Sequence, residues 1–235
     1  TLPAENIGKM ENRGFDLNIG YNGSIGELRY NVNVNGGYAK NKILFWDEAA
    51  GAPEWQRTTG RMLNAGMYYI HDGVFRDEAD IAANTLDYSA ITNNLRPGDM
   101  KFVDYDGDGK ITPDDRVRRD KNNIPTFQGG VNIGLQYKSF DLTILFQGAA
   151  GAELPVSTEE SGAIGNYLYQ FYEKRWTPDN PSSEHPRITD RSDQYYSSGN
   201  TYWLESTDYL RLKNVEIGYN FPVEWTKKVG VNNFR

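Results

Sequence analysis

The segment TFQGGVNIGLQYKSFDLTILFQ, from Thr126 to Gln147, alternates between apolar and polar residues almost without interruption. A period of two residues is the pattern of a β-strand with one apolar face and one polar face. Lys138 and Ser139 interrupt the alternation and predict a two-residue turn between antiparallel strands. Each strand has about 10 residues, roughly the length that a tilted strand needs to cross a bilayer. A hairpin of a soluble β-sandwich fits this segment equally well.

The same alternation recurs on both sides of this hairpin and predicts further strands at 12–21, 28–38 and 208–221. In the last of these strands, the apolar residues change from even-numbered to odd-numbered positions near Lys213 and Asn214. Such a change indicates a β-bulge. A short helix is predicted near Asp77–Ala83.

The connections between these strands alternate between short and long. The short ones lie at 23–27, 138–139 and 222–230, and two long regions cover 39–125 and 149–201. Bacterial outer-membrane barrels have short periplasmic turns and long extracellular loops. The regularity favours an antiparallel transmembrane β-barrel over a soluble sandwich, with 39–125 and 149–201 as extracellular loop regions.

Composition narrows the class of protein. Apolar residues make up 38% of the 235 residues, a low share for a packed globule, whereas Gly (24) and Tyr (16) are abundant. Barrels with a polar interior have this composition, and so do polar secreted β-proteins. A net charge of -7 without a basic cluster argues against nucleic acid as a partner. The absence of Cys excludes disulfides and thiolate metal sites.

The twelve residues DYDGDGKITPDD, from Asp104 to Asp115, match the calcium loop of an EF-hand. Calcium prefers about six to eight hard oxygen ligands, and glycine at the sixth position allows the sharp turn. Gly109 occupies that position. The predicted metal ligands are Asp104, Asp106, Asp108, the carbonyl oxygen of Lys110, Thr112 and Asp115.

No helical pattern precedes Asp104, so we expect a clamp within a loop instead of a paired-helix calcium sensor. A bound Ca²⁺ would hold a long outer loop against its neighbours. A solvated acidic turn without metal is the alternative interpretation of these residues.

The sequence shows no pattern of a catalytic site. His71 and His185 are the two histidines, and their separation does not fit a zinc site. Nucleophile-elbow, phosphate-loop and dinucleotide-binding motifs are also missing. We therefore predict that the chain is not an enzyme.

The long regions contain a set of large aromatic residues: Trp46, Trp55, Tyr68, Tyr69 and Trp203. Three interpretations of them stay open, namely stacking on sugar rings, contact with a lid protein, and packing within the protein. The substrate-binding residues stay unassigned.

Several blocks, in order along the chain, carry a family resemblance. The central one is 96–104, running into DGDGKI at 106–111. The others are NIGKMENRGF at 6–15, FDL at 140–142 with FQG at 146–148, WTP at 176–178 before Asn180-Pro181 and Pro186-Arg187, and YLRLKNV at 209–215 with Gly218-Tyr219 and Pro222. Together they resemble the SusC/RagA family of TonB-dependent outer-membrane transporters of Bacteroidetes, over nearly the whole chain.

The resemblance implies a segment from the C-terminal half of a large barrel. Residues 1–235 would then be one incomplete part of a TonB-dependent receptor. The plug domain, the TonB box and the last strands of that family are absent here. It further implies a cell outer membrane location in contact with lipid, and import of an oligosaccharide or a peptide. The expected partners are a SusD-like surface lipoprotein and TonB, the latter through a part of the protein not present here. The rival interpretation is a soluble secreted β-domain that binds calcium, with or without carbohydrate as a second ligand.

Overall fold

The computed structural model describes residues 7–156, 173–181, 184–188, 199–231 and 234–235. Much of the region 149–201 therefore lies outside the described residues. The strands are β1 (Lys9–Ile25), β2 (Leu28–Phe45), β3 (Met67–Tyr68), β4 (His71–Val74), β5 (Met100–Phe102), β6 (Val117–Arg118), β7 (Phe127–Tyr137), β8 (Phe140–Ala150), β9 (Glu153–Pro155), β10 (Leu204–Ser206) and β11 (Tyr209–Tyr219). The helices are α1 (Glu78–Ala83) and α2 (Val223–Thr226), with 3-10 turns at Glu54–Gln56, Pro113–Asp115, Thr201–Trp203 and Lys227–Val229.

The long strands form one five-stranded sheet in the order β1-β2-β7-β8-β11. The pairs β2–β7, β7–β8 and β8–β11 are antiparallel. Short turns close two hairpins, and each contains a left-handed residue: Gly26 (φ 59°) between β1 and β2, and Lys138 (φ 54°) between β7 and β8. The sheet is open, with β1 and β11 at its edges. The all-β antiparallel prediction is confirmed.

Alternation gives the sheet two chemically different faces. The apolar face includes Phe15, Leu17, Ile19, Val32, Val34, Val131, Ile133, Leu142, Ile144, Leu212 and Ile217; the polar face includes Asp16, Asn18, Asn31, Asn33, Asn132, Gln136, Asp141, Thr143 and Glu216. On the polar face, Asn33 donates to the Asn18 side chain at 3.0 Å. On the apolar face, Phe15 is 66% exposed and Ile217 is 75% exposed. The described part of the chain therefore leaves this apolar face uncovered.

The predicted bulge in the last strand is confirmed. The register between β11 and β8 shifts between Leu212 and Asn214. Lys213 is the extra residue, and it returns Val215 and Ile217 to the apolar face that Leu212 also occupies.

The chain divides into two compact units. One contains the sheet and covers 12–41, 123–152 and 206–235; the other covers 1–11, 42–122 and 153–205. The second unit has its own hydrophobic core, built from Tyr69, Phe75, Tyr88, Ile91, Met100, Phe102 and Ile111. In this core the rings of Tyr69 and Phe102 stack at 4.8 Å. The long connections thus fold into a structured unit, and their extracellular placement stays a prediction.

The short helix predicted near Asp77–Ala83 is confirmed as α1. Asp77 is its N-cap and accepts the Asp80 N–H at 2.8 Å, which satisfies a donor that the first helical turn leaves unpaired. None of the helices among the described residues is long and apolar enough to cross a membrane.

We expect Phe102→Ala to destabilise the unit formed by the long connections by about 3–5 kcal/mol, because it leaves a cavity beside Tyr69. Phe45→Ala is the matched control, since Phe45 belongs to the same unit but is exposed. Amide hydrogen exchange across residues 60–120 measures the difference in stability between the two variants. Equal protection in the two variants would contradict the proposed core.

Candidate functional site

The acidic loop at 104–115 is held by its own backbone. The Asp104 carboxylate accepts the N–H groups of Gly107 and Gly109, each at 2.8 Å. Both glycines have positive φ values, 75° and 84°, in the left-handed region that glycine adopts without strain. These bonds, led by that from Gly109, hold the pKa of Asp104 below its ordinary value.

Two further carboxylates converge beside Asp104. Asp106 accepts the N–H of Asp108 at 3.1 Å, and Asp108 accepts the N–H of Lys110 at 2.8 Å. Asp104, Asp106 and Asp108 each present an oxygen, and these oxygens lie within 4.8 Å of one another. Reduced solvation and the neighbouring charges raise the pKa of Asp106. A cation between the three carboxylates would relieve this repulsion.

Asp115 closes the loop from its far end. Its side chain is fully buried, and its two oxygens accept the N–H groups of Tyr105 and Thr112, both at 2.7 Å. Thr112 in turn caps the 3-10 turn by accepting the Asp114 N–H at 3.1 Å, so a reciprocal capping box forms. Asp115 therefore braces the loop through its hydrogen bonds to the backbone.

The structure thus brings three of the six predicted metal ligands together. Asp104, Asp106 and Asp108 form a cluster whose hard oxygen donors suit Ca²⁺. Thr112 and Asp115 are engaged with the backbone of the same loop, which leaves their role as ligands a prediction. The Lys110 carbonyl likewise remains a predicted ligand, and this prediction rests on the spacing of the loop residues alone.

The loop is also tied to the core of its unit. Ile111 is fully buried in that core. Asp87 bonds to the main chain on both sides of Lys110, accepting from Ile111 at 2.8 Å and donating to Gly109 at 3.0 Å. A metal bound here would therefore act on a segment that is continuous with the hydrophobic core.

Trp55 and Gln56 contact the loop from a distant part of the chain. Trp55 donates to the Asp114 carbonyl at 2.8 Å, and its ring lies 5.3 Å from that of Tyr105. The Gln56 amide donates to the carbonyls of Pro113, Asp114 and Arg116 at 2.8 to 3.0 Å. The sequence offered no signal for these contacts, because the hydrogen bonds join residues 57 to 60 positions apart and the ring contact also joins distant parts of the chain.

The loop aromatics serve several purposes. Tyr69 is fully buried and is not available to a ligand. Trp55 packs on the acidic loop, and Trp203 meets the Tyr202 ring edge-on at 4.6 Å. Trp46 keeps 47% of its surface exposed. Packing therefore accounts for most of this set, and Trp46 is the most accessible of the three tryptophans.

The polar face of the sheet carries a cavity of ≈ 770 Å³ near the short turns. Its lining includes Arg29, Asn31, Gln136, Asp141, Thr143 and Arg235. Arg235 pairs with Asp141 and, at 2.9 Å, with Glu216. Charged and amide groups thus offer hydrogen bonds to a hydrophilic solute on this side.

Two rows of aromatic side chains border the apolar face. One row contains Tyr21, Tyr30, Tyr137, Phe140 and Tyr219, near the short turns; the other contains Phe15, Tyr38 and Phe127. Phe127 and Tyr137 begin and end β7, a strand of 11 residues. Such a strand is about 33 Å long, and at a tilt of about 40° it spans about 25 Å, the height of the apolar band of an outer-membrane barrel.

Known proteins resemble this chain in sequence. TonB-dependent receptor P3 of Formosa agariphila is 28% identical over 245 residues, covering 98% of the chain. TonB-dependent receptor P26 of the same organism is 26% identical and covers 97%. The chain spans 24% of the length of each of these relatives. No protein-family model matches the chain.

Solved structures resemble it in fold. The RagAB peptide transporter matches with a TM-score of 0.66 at 20% identity, over 97% of this chain and 25% of the transporter chain. The RagAB peptide importer in its open-open state matches with a TM-score of 0.65 at 19% identity. The fold is that of a segment of such a β-barrel.

These matches confirm the resemblance predicted from the sequence. The chain is SusC/RagA-like, and the proteins that it matches are receptors and transporters. Its open five-stranded sheet is an antiparallel barrel segment.

We expect Asp115→Asn to loosen the acidic loop by about 1–3 kcal/mol, because an amide nitrogen would face buried N–H donors. Asp114→Asn is the control, since Asp114 is exposed and its carbonyl, not its side chain, makes the contact with Trp55. The rates of protease cleavage within 104–115 are compared between these two variants in the presence of a chelator. Equal cleavage rates would show that Asp115 does not brace the metal-free loop.

Proposed function

We propose that this chain is part of the wall of a TonB-dependent outer-membrane nutrient importer. The relatives in sequence are named TonB-dependent receptors, and the neighbours in fold are named a peptide transporter and a peptide importer. Because the chain spans about a quarter of these proteins, transport in this proposal belongs to a longer protein that contains it.

The observation that carries the proposal is the uncovered apolar face between two aromatic rows. Phe15 and Ile217 are mostly exposed, and the band between the rows matches the thickness of a membrane's hydrocarbon layer. In water, an apolar surface of this extent would favour aggregation or a partner. Lipid of the cell outer membrane is the partner that fits its height. The rival, a soluble secreted β-domain, leaves this face without an explanation.

The opposite face suits a hydrophilic cargo. Its amide and charged side chains, including Asn31, Gln136 and Arg29, would line the route of an oligosaccharide or a peptide. RagAB is named a peptide transporter, which is the observation in favour of a peptide. Glycan uptake is the second candidate. A SusD-like surface lipoprotein and TonB are the proposed partners, TonB through another part of the protein.

The proposal requires no catalysis by this chain, since an importer moves its cargo without changing a covalent bond. The two histidines have packing roles. His185 shares a hydrogen bond of 2.8 Å with the Tyr202 hydroxyl, and the His71 ring lies 5.0 Å from the Tyr202 ring. Burial lowers the pKa of His71, which favours its neutral form.

We further propose that the loop at 104–115 binds Ca²⁺ through Asp104, Asp106 and Asp108, with Lys110, Thr112 and Asp115 completing the set. The convergence of three carboxylates supports a cation at this place, and so does the raised pKa of Asp106, which results from reduced solvation and, after it, from the neighbouring negative charges. Bound Ca²⁺ would supply charge neutralisation and rigidity. The loop would then hold the long connection at 42–122 in a single shape on the outer side.

The membrane part of the proposal is tested by placing a charge on either face of β7. Ile133→Arg on the apolar face should cost about 2–4 kcal/mol and reduce the folded fraction, because its charge would lie in the hydrocarbon layer. Asn132→Arg on the polar face should be tolerated. Heat-modifiable gel migration of the membrane-inserted protein reports the folded fraction.

The same preparation tests the location. Recovery in the outer-membrane fraction and in detergent is expected. A protein that is soluble and monodisperse without detergent would contradict the importer proposal and favour the soluble alternative.

The metal part is tested by calorimetric titration with Ca²⁺. Asp106→Ala removes one of the three clustered carboxylates and should weaken binding by about tenfold or more, with the strands intact. Asp114→Ala removes an equal charge outside the cluster and should leave the affinity nearly unchanged. An unchanged affinity in Asp106→Ala would refute the assignment of these ligands.

A further inference from the structure

The connection after β11 continues the aromatic row of the apolar face beyond the end of the strand. The ring of Tyr219, the last residue of β11, lies 4.8 Å from that of Phe140, and the ring of Phe221 meets Tyr219 edge-on at 5.0 Å. The Phe234 ring then packs on Phe221 at 5.1 Å, and the Phe221 N–H donates to the Phe234 carbonyl at 3.0 Å. Since Phe140 and Tyr219 belong to the short-turn row, these contacts extend the apolar face into the connection.

The helix α2 closes an apolar cavity beside these rings. The cavity has a volume of ≈ 290 Å³ and is lined by Phe221, Trp225, Thr226, Val231 and Phe234. Thr226 is the polar residue in this lining, and its hydroxyl donates to the Val223 carbonyl at 3.2 Å. Because that hydroxyl is already paired, the described lining suits a hydrocarbon occupant and not a polar solute.

The cavity opens among exposed apolar groups. Trp225 is 61% exposed and Phe234 is 54% exposed. Within the part of the chain that the structure describes, the Trp225 indole N–H has no hydrogen-bond partner. Tryptophan is enriched at membrane–water interfaces, where its ring contacts acyl chains and its N–H reaches polar groups. The exposed Lys227 and Lys228 follow directly, and their long stems allow the charges to stay in water or among head groups.

The depth of the cavity follows from its position on β11. Phe221 lies two residues beyond Tyr219, which corresponds to about 5 Å along the normal of the membrane for a tilted strand. If the sheet spans a membrane as proposed above, the cavity lies where the acyl chains meet the head groups. A further strand beside β11 would pair with its edge and would leave this side of the rings uncovered.

We propose that residues 221–234 bind a phospholipid of the leaflet beside the short turns. The part of one acyl chain next to its ester enters the cavity, and the Trp225 ring lies at the level of the head groups. This inference rests on the membrane placement proposed above. Lipid is the occupant argued for, because the cavity is continuous with the apolar face.

The test uses the protein that contains this segment, inserted into phosphatidylcholine nanodiscs. Half of the preparations carry lipid brominated near the ester end of its acyl chains, because bromine quenches a tryptophan that it touches. The emission of Trp225 is the difference between the wild type and W225F. The emission of Trp46, taken from W46F, is the matched control, since Trp46 is also exposed but belongs to the other compact unit.

Brominated lipid should lower the Trp225 emission about twofold or more and leave the Trp46 emission nearly unchanged. Bromine near the methyl end of the chain should quench Trp225 less. V231D, which places a charge in the cavity, should reduce the quenching, whereas V231L should retain it. Folding of each variant is verified by heat-modifiable gel migration.

An unquenched Trp225 in an inserted, folded protein would overturn the proposal. If that Trp225 were also shielded from aqueous iodide, a protein partner would be the occupant instead of lipid. Failure of the underlying membrane placement has a separate signature. A wild-type protein that does not insert into nanodiscs at all would contradict both the importer function and the lipid site, whereas insertion without quenching of Trp225 would contradict the lipid site alone.

Discussion

The antiparallel hydrogen-bond ladder that joins β2, β7 and β8 governs the chemistry of the whole sheet. Its register runs without a break from Leu28–Tyr137 to Tyr38–Phe127, and from Phe127–Ala150 to Tyr137–Phe140. Because successive side chains point to opposite faces, a slip of one residue would move Ile133 to the polar face. The uncovered apolar face, the aromatic rows and the polar cavity are all consequences of this register.

The edge strand β11 shows how the sheet keeps its faces when the sequence departs from strict alternation. Leu212 and Val215 are three positions apart, so strict alternation would place them on opposite faces. Both nevertheless lie on the apolar face, because Lys213 is an extra residue in the bulge. The parity change is visible in the sequence, so the bulge was predictable from local information. The hairpin at Lys138 was predictable for the same reason.

Much of the candidate metal site was also predictable, because its geometry is local. The spacing of Asp104, Asp106 and Asp108 around Gly107 and Gly109 determines the turns that bring their carboxylates together. The support of the loop was not predictable. Gln56 and Trp55 reach it from more than fifty residues away, and no periodic pattern marks either as a partner.

Sequence alone was sufficient for the five long strands of the sheet, their two faces, the bulge and the acidic loop, since each follows from backbone stereochemistry over a few neighbouring residues. The tertiary structure decided which strands are neighbours, as with β2 and β7 across the long connection at 42–122. It also decided that Tyr69 is a core residue and that Asp115 turns its oxygens to the backbone. These outcomes depend on packing and hydrogen bonding between segments far apart in the chain, which no local pattern encodes.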